Sequence, residues 1–152
     1  MSEPIDLAEI VRRARAERDP QILCGVVPYA AFVGMSMRLD EAGDVVATMR
    51  YADHLIGDST LPALHGGTIA ALLESTAIFT ALFLGDDVGL PRTITLTIDY
   101  LRSGRAQDTE CRARVVRRGR RILVLESSAY QGSPDKPITK ATVHLLLGDR
   151  LP

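Results

Sequence analysis

The sequence predicts an α+β fold in which one long, nearly all-apolar helix is wrapped by a curved antiparallel sheet. The run ALHGGTIAALLESTAIFTALFL, Ala63 to Leu84, is hydrophobic almost all round, so it belongs inside the protein. Segments on both sides of it alternate apolar and polar residues with strand periodicity, strictly so in RTITLTIDYL. Short turn-forming stretches separate these segments. A helix of that kind must be enclosed, and an antiparallel sheet is what this chain offers.

Composition bounds the reading. A chain of 152 residues is most simply one domain, residues 1–152, with a single core. A hydrophobic fraction of 46% and a charged fraction of 24% are ordinary globular values, which argues against disorder. The net charge of −1 gives no field to attract nucleic acid, and aromatics at 5% without tryptophan supply few stacking platforms. Nucleic acid and membrane are therefore excluded as expected partners. The N-terminal MSEPIDLAEIVRRARAERD is charged and lacks the apolar core of a signal peptide. Leu61 to Leu84 has the length of a membrane span but contains Pro62, His65, two glycines and Glu74. Cys24 and Cys111 match no metal or redox spacing and read as reduced thiols in a cytoplasmic protein without a metal.

The elements follow in order. Apolar residues at Ile5, Leu7, Ala8, Ile10, Val11 and Ala14 predict an N-terminal helix over Ile5 to Arg18, ended by Asp19-Pro20. ILCGVVPYAAF reads as irregular, broken by Gly25 and Pro28. VGMSMRLD and DVVATMRY read as a hairpin turning at Glu41-Ala42-Gly43. ADHLIGDSTLPAL is a loop leading into His65, and the long helix spans Gly67 to Leu84. In RTITLTIDYL, Ile94, Leu96, Ile98 and Tyr100 share one face, and Thr93, Thr95, Thr97 and Asp99 the other. TECRARVVRRG, RRILVLESSAYQ and ITKATVHLLLG complete a predicted four-strand meander, separated by turns at SGRAQD, Arg118-Gly119-Arg120 and GSPDKP.

Glu74 is the one ionisable residue between Gly67 and Leu84. A carboxylate there is paired, protonated, or placed in a cavity that ligand and water reach. The glycines at the helix start, Gly66 and Gly67, permit close approach of another chain or ligand. Unpaired N–H groups at that end form a site for a carbonyl oxygen gaining negative charge. Gly66 and Glu74 stand roughly 12 Å apart along the helix at a rise of about 1.5 Å per residue. If both act on one carbonyl they come from two subunits, and that function, rather than the sequence itself, would imply a homodimer with antiparallel copies of this helix.

The sequence resembles the hotdog-fold acyl-CoA thioesterases, in the PaaI-like and hydroxybenzoyl-CoA thioesterase branch. The resemblance runs from about His54 to Leu147 and rests on LHGGTIAALLEST, with the acid nine positions after the histidine, and on LTIDYLRSG. It implies a helix wrapped by an antiparallel sheet, a homodimer with two shared active sites, commonly doubled to a tetramer, and no cofactor beyond the coenzyme A of the substrate. It implies that Glu74 attacks the thioester carbonyl or activates water, that the Gly66 N–H polarises that carbonyl, and that His65 orders the corner. It sets Thr93 near a residue that positions the acid or water. Where the family often carries Asn or Gln before the histidine, this chain has Asp58 or Ser59, and an ionised Asp cannot donate a hydrogen bond. Thiols with a pKa near 8.5 leave without strong acid help, so no Ser-His-Asp triad is needed.

Other candidates have two readings each. Arg118 and Arg120, with Arg117 and Arg121, either hold the phosphates of coenzyme A together with Arg102, Ser103 and Gly104, or form a solvated hairpin turn. His144 reads as a hydrogen-bonded structural histidine, and Asp99 as surface. Phe79, Leu82 and Phe83 line either the core or an acyl pocket. The N-terminal helix reads as packing on the dimer rather than covering that pocket. The rival functions are a hotdog module that binds acyl-CoA or another apolar ligand without turnover, and a hotdog dehydratase or hydratase, whose Asp/His pattern HGGTIAALLE does not resemble.

Overall fold

The computed structural model describes residues 4–86 and 89–148. The first helix, α1 (Leu7–Ala16), starts where the Asp6 carboxylate accepts the Glu9 N–H. It stops short of the expected Arg18. That residue turns left-handed at φ 53°, and the Asp19 N–H returns to the Ala14 carbonyl at 2.9 Å to close a Schellman motif. The segment expected to be irregular forms two single-turn helices, α2 (Gln21–Gly25) and α3 (Pro28–Phe32). Pro28 occupies the first turn of α3, where a missing N–H costs nothing, so it starts that helix rather than breaking one.

Strands β1 (Met35–Leu39) and β2 (Val45–Met49) form the predicted hairpin. In its turn the Asp40 carboxylate accepts the Ala42 and Asp44 N–H groups. The stretch read as a loop holds two short paired strands, β3 (Ile56–Asp58) and β4 (Ala63–Leu64). The long helix α4 (Gly66–Leu84) follows, then β5 (Arg92–Tyr100), β6 (Thr109–Arg118), β7 (Ile122–Tyr130) and β8 (Pro137–Leu146).

The main sheet has six strands in the order β1-β2-β6-β7-β8-β5, all antiparallel. The expected four-strand meander is therefore a meander of three. β5 pairs with β8 at the far edge, not with β6. The reason lies in α4, which packs across β6, β7 and β8, so the chain leaving Leu84 joins the sheet beyond β8. The helix wrapped on one side by this sheet is the hotdog arrangement.

Leu72, Leu73 and Ala77 of α4 are fully buried against Ala47, Cys111, Leu125 and Val143 of the sheet. Polar groups on that face are mostly tied down. The Ser127 hydroxyl donates to the Leu73 carbonyl at 3.0 Å, and the Thr76 hydroxyl to Leu72 at 2.6 Å. By length and composition α4 would pass for a membrane span, but its packing makes it a core helix.

The sheet covers one side of α4 only. Gly67, Ala70, Ala71, Glu74, Ser75 and Ile78, spaced three and four apart, keep contact with solvent within the protomer.

Two strand details differ from the alternation pattern. A bulge between Thr93 and Thr95 shifts the register, so Thr93 lies opposite the buried Leu145 and Thr95 opposite His144. Thr93 thus leaves the polar face assigned to it and joins the helix-facing side. His144, expected to be a hydrogen-bonded histidine, has its Nδ1 buried without a partner among the described residues.

Both cysteines are buried. Burial pushes the Cys24 thiol up to about 11 and the Cys111 thiol up to about 12. Neither is a thiolate near neutrality. At pH 8 both are expected to be inert to an aromatic disulfide reagent and to react when urea unfolds the chain. Rapid stoichiometric reaction of the native protein would contradict this packing.

Candidate active site

The site is built at the N-terminus of α4. Three backbone links fix the chain before the helix begins. The His65 N–H donates to the Leu55 carbonyl at 2.8 Å, the Leu64 N–H to the Gly104 carbonyl at 2.9 Å, and Ala63 bridges to Arg105. β4 is therefore held between β3 on one side and the stretch after β5 on the other.

His65 is the N-cap. Its Nδ1 accepts the Gly67 N–H at 2.9 Å, and its carbonyl accepts the Thr68 N–H and hydroxyl. An imidazole that accepts at Nδ1 carries its proton at Nε2 when neutral. Gly67 thus spends its N–H inside the corner, whereas Gly66, at the first helical position, has no intrahelical acceptor for its own. The Gly66 carbonyl is tied from outside by the Tyr100 hydroxyl at 2.8 Å. A Cβ at residue 66 would lie 3.1 Å from that hydroxyl, so glycine lets Tyr100 come this close.

Glu74 lies two turns further along, on the uncovered stripe. Its carboxylate has no hydrogen bond or ion pair among the described residues. The pairing with an arginine that would explain it structurally is absent among the described residues. Its helical neighbours toward Gly66 are Ala70 and Ala71, which leave it accessible. Gly66 and Glu74 do not meet in one protomer, being roughly 12 Å apart at the helical rise of about 1.5 Å per residue.

The remaining candidates fall into distinct places. Asp58 closes β3, and its Oδ1 accepts the Thr60 hydroxyl at 2.6 Å and the Thr60 N–H at 2.8 Å. Those two bonds, the hydroxyl's first, hold its carboxyl below the usual carboxylate range. Ser59 is exposed in the same turn. The Thr93 hydroxyl is buried without a partner among the described residues.

Arg102, Ser103 and Gly104 line a cleft of about 400 Å³ with Leu64, Gly66 and Tyr100. A second cleft, about 410 Å³, shares Arg102 and Ser103 and adds Arg105, Gln131 and Lys136. Arg118 and Arg120 are elsewhere. They sit at the β6–β7 turn, whereas Arg102 follows the end of β5 beside Ile138 at the start of β8. A nine-residue strand, β7, separates the two ends of the sheet, roughly 30 Å at about 3.3 Å per residue. The two basic groups expected to act together are therefore apart within one protomer.

On the outer sheet face, a hollow of about 300 Å³ around Arg112 and Tyr130 contains none of these residues. There Asp40 pairs with Arg112, which holds the carboxyl below its ordinary range. Among the described residues no cluster of His, Cys, Asp and Glu could hold a metal ion.

Two residues of the corner escaped the sequence reading. Tyr100 was placed by alternation on the apolar face, yet its hydroxyl is what ties the Gly66 carbonyl. Gly57 was read as loop, but a Cβ there would stand 2.7 Å from His65 Cα. Only glycine lets β3 pass so near the corner. The one available signal was a glycine between apolar Ile56 and the turn residues.

A wrapped helix opening on a histidine-capped diglycine corner defines a protein of the hotdog class. Residues 61–138 match the thioesterase superfamily, just over half of the 152-residue chain, and the chain belongs to that superfamily. Membership supports thioester hydrolysis as the general class of reaction. A crystal structure of a Chromobacterium violaceum protein is similar, at 26% identity and TM-score 0.74, covering 91% of this chain and 96% of that one. A Shewanella oneidensis protein related to the thioesterase superfamily has 26% identity and TM-score 0.70, covering 93% and 97%. A phenylacetic acid degradation-related protein from Ralstonia eutropha shares the fold at 24% identity and TM-score 0.69, covering 79% and 90%. No curated protein matches the chain.

Gly57→Ala is expected to cost about 1–3 kcal/mol, the usual penalty for forcing extra volume into a packed contact. Urea denaturation measures this, and an unchanged midpoint would show that the corner yields freely.

Proposed function

We propose that the protein hydrolyses the thioester of a small, medium-chain or aromatic acyl-CoA. The observation that carries the reading is the combination, among the described residues, of an unclaimed Gly66 N–H at a capped helix start with an unpaired Glu74 carboxylate on the uncovered stripe of that helix. In this reading the thioester carbonyl sits against Gly66, whose N–H and helix end stabilise the negative charge that grows on oxygen. Glu74 of the other subunit attacks the carbonyl carbon directly or removes a proton from the attacking water. The thiolate of coenzyme A leaves unaided.

The two halves are supplied by a homodimer. Two copies of α4 running antiparallel would set Gly66 of one beside Glu74 of the other, and Gly67, Ala70 and Ala71 keep the facing stripe low enough for close approach. Support also comes from β5, an edge strand paired on one side only among the described residues, with Ile94 and Tyr100 half exposed along it. Long exposed edges of this kind are normally covered. A dimer of dimers is the larger assembly we expect.

Coenzyme A would then run along the two clefts after β5, with Arg102, Arg105 and Lys136 facing its phosphates. Arg118 and Arg120 could join them only from another subunit. The buried reduced thiols suit a cytoplasmic protein.

One observation favours a second reading, a hotdog module that binds acyl-CoA without turnover. Asp58 occupies the place where a side-chain donor is usual, and its carboxylate is engaged by Thr60.

Thiol release from a panel of acyl-CoAs, wild type beside Glu74→Gln, separates the two. The hydrolase reading expects release that falls by roughly 10²–10⁴-fold in the variant, the span of a lost general base. Release that survives the substitution rejects Glu74, and binding of every panel member without release supports the binding module.

A further inference from the structure

We infer that the N-terminal helices build the acyl pocket within each protomer and set the longest acyl group it accepts; this rests on the thioesterase reading above. An apolar cavity of about 200 Å³ lies between α1, the α2–α3 turn and the exposed stripe of α4. Leu7 and Ile10 form its roof, Val26 and Val27 one side, and Ile78 and Phe79 its floor. Ser75 is the one polar residue among the described residues of its wall.

Position ties this cavity to the reaction. Ile78 follows Glu74 by one helical turn on the same stripe, and Ser75 is its immediate neighbour. The Glu74 side chain leans toward Gly66, as side chains on a helix lean toward the N-terminus. A thioester carbonyl held at that carboxylate would therefore have the cavity behind it, on the side away from the Gly66 corner. The acyl carbons would then extend into this apolar cavity.

Size and closure set the limit. A dry apolar cavity of about 150 Å³ accommodates a benzene ring, so this one suits a single aromatic ring or a chain of roughly six to eight carbons. Its roof is anchored. Arg15 on α1 donates to the Leu82 carbonyl at 2.6 Å from one Nη and 3.1 Å from Nε, and to Asp86 at 3.4 Å. Ala8, Val11 and Ala14 are meanwhile buried on the core side of the same helix. The helix is thus pinned at its end while Leu7 and Ile10, half buried, face the cavity.

The test compares kcat/KM along acetyl-, butyryl-, hexanoyl-, octanoyl- and decanoyl-CoA, with phenylacetyl-CoA added, for wild type, Ile78→Phe and Ile10→Ala. Wild type is expected to decline steeply beyond about eight carbons. Ile78→Phe should lower the hexanoyl-to-acetyl ratio at least tenfold, and Ile10→Ala should move the optimum two or more carbons longer. Identical chain-length profiles in three folded proteins would overturn the inference. Should no acyl-CoA be hydrolysed, the hydrolase reading fails, and calorimetry with S-hexyl-coenzyme A decides the pocket separately. Binding weakened at least tenfold by Ile78→Phe would sustain it, and equal binding by all three proteins would overturn it.

Discussion

Helix α4 carries more apolar surface than one sheet can cover, and most of what is particular about this protein follows from how the excess is handled. The sheet takes the face that holds Leu72, Leu73 and Ala77. The opposite stripe is left to Gly67, Ala70, Ala71 and Ile78, side chains small or aliphatic enough to be tolerated in water and well suited to being covered. Glu74 sits on that stripe, and its position decides its chemistry. One residue earlier, at Leu73, a carboxylate would be wholly desolvated against the sheet, at a cost of several kcal/mol. On the stripe it keeps contact with solvent while lying beside apolar surface.

The corner at the other end of the stripe handles backbone rather than side chain. A helix start has N–H groups without partners, and a cap satisfies some of them. Here the cap is an imidazole that takes the second N–H, at Gly67, and leaves the first. An aspartate in the same role would bring a negative charge beside the oxygen that the proposed reaction makes negative, whereas a neutral ring brings none. Tyr100 and Gly57 complete the arrangement by holding the corner from two other strands. A peptide N–H fixed by the cap and by two further strands would need little reorganisation in the proposed reaction.

Much of this was legible in the chain. The wrapped helix and the first hairpin follow from short-range patterns, apolar continuity and turn residues, whereas the lone charge of Glu74 marked a position and left its pairing open. What was not legible depends on contacts between distant segments. Alternation cannot reveal a bulge, so Thr93 was set on the wrong face. Adjacency in sequence favoured β5 beside β6, but the path of α4 over the sheet sent β5 past β8. Pro28 read as a breaker because nothing local shows that it begins a helix. The arginines around Gly119 looked like companions of Arg102 because a sequence does not display which end of a sheet each turn occupies.

The placement of β5 also orders events in time. Among the described residues its one neighbour in the main sheet is β8, and β6 and β7 must be made between the two. While the chain is being synthesised, the strand that offers the exposed edge has no strand to pair with until that whole meander is complete. Closing so long a loop is among the slower steps in assembling a sheet. A half-made chain consequently lacks the sheet edge that β5 forms in the finished fold, and that edge comes into being only when the last strand is in place.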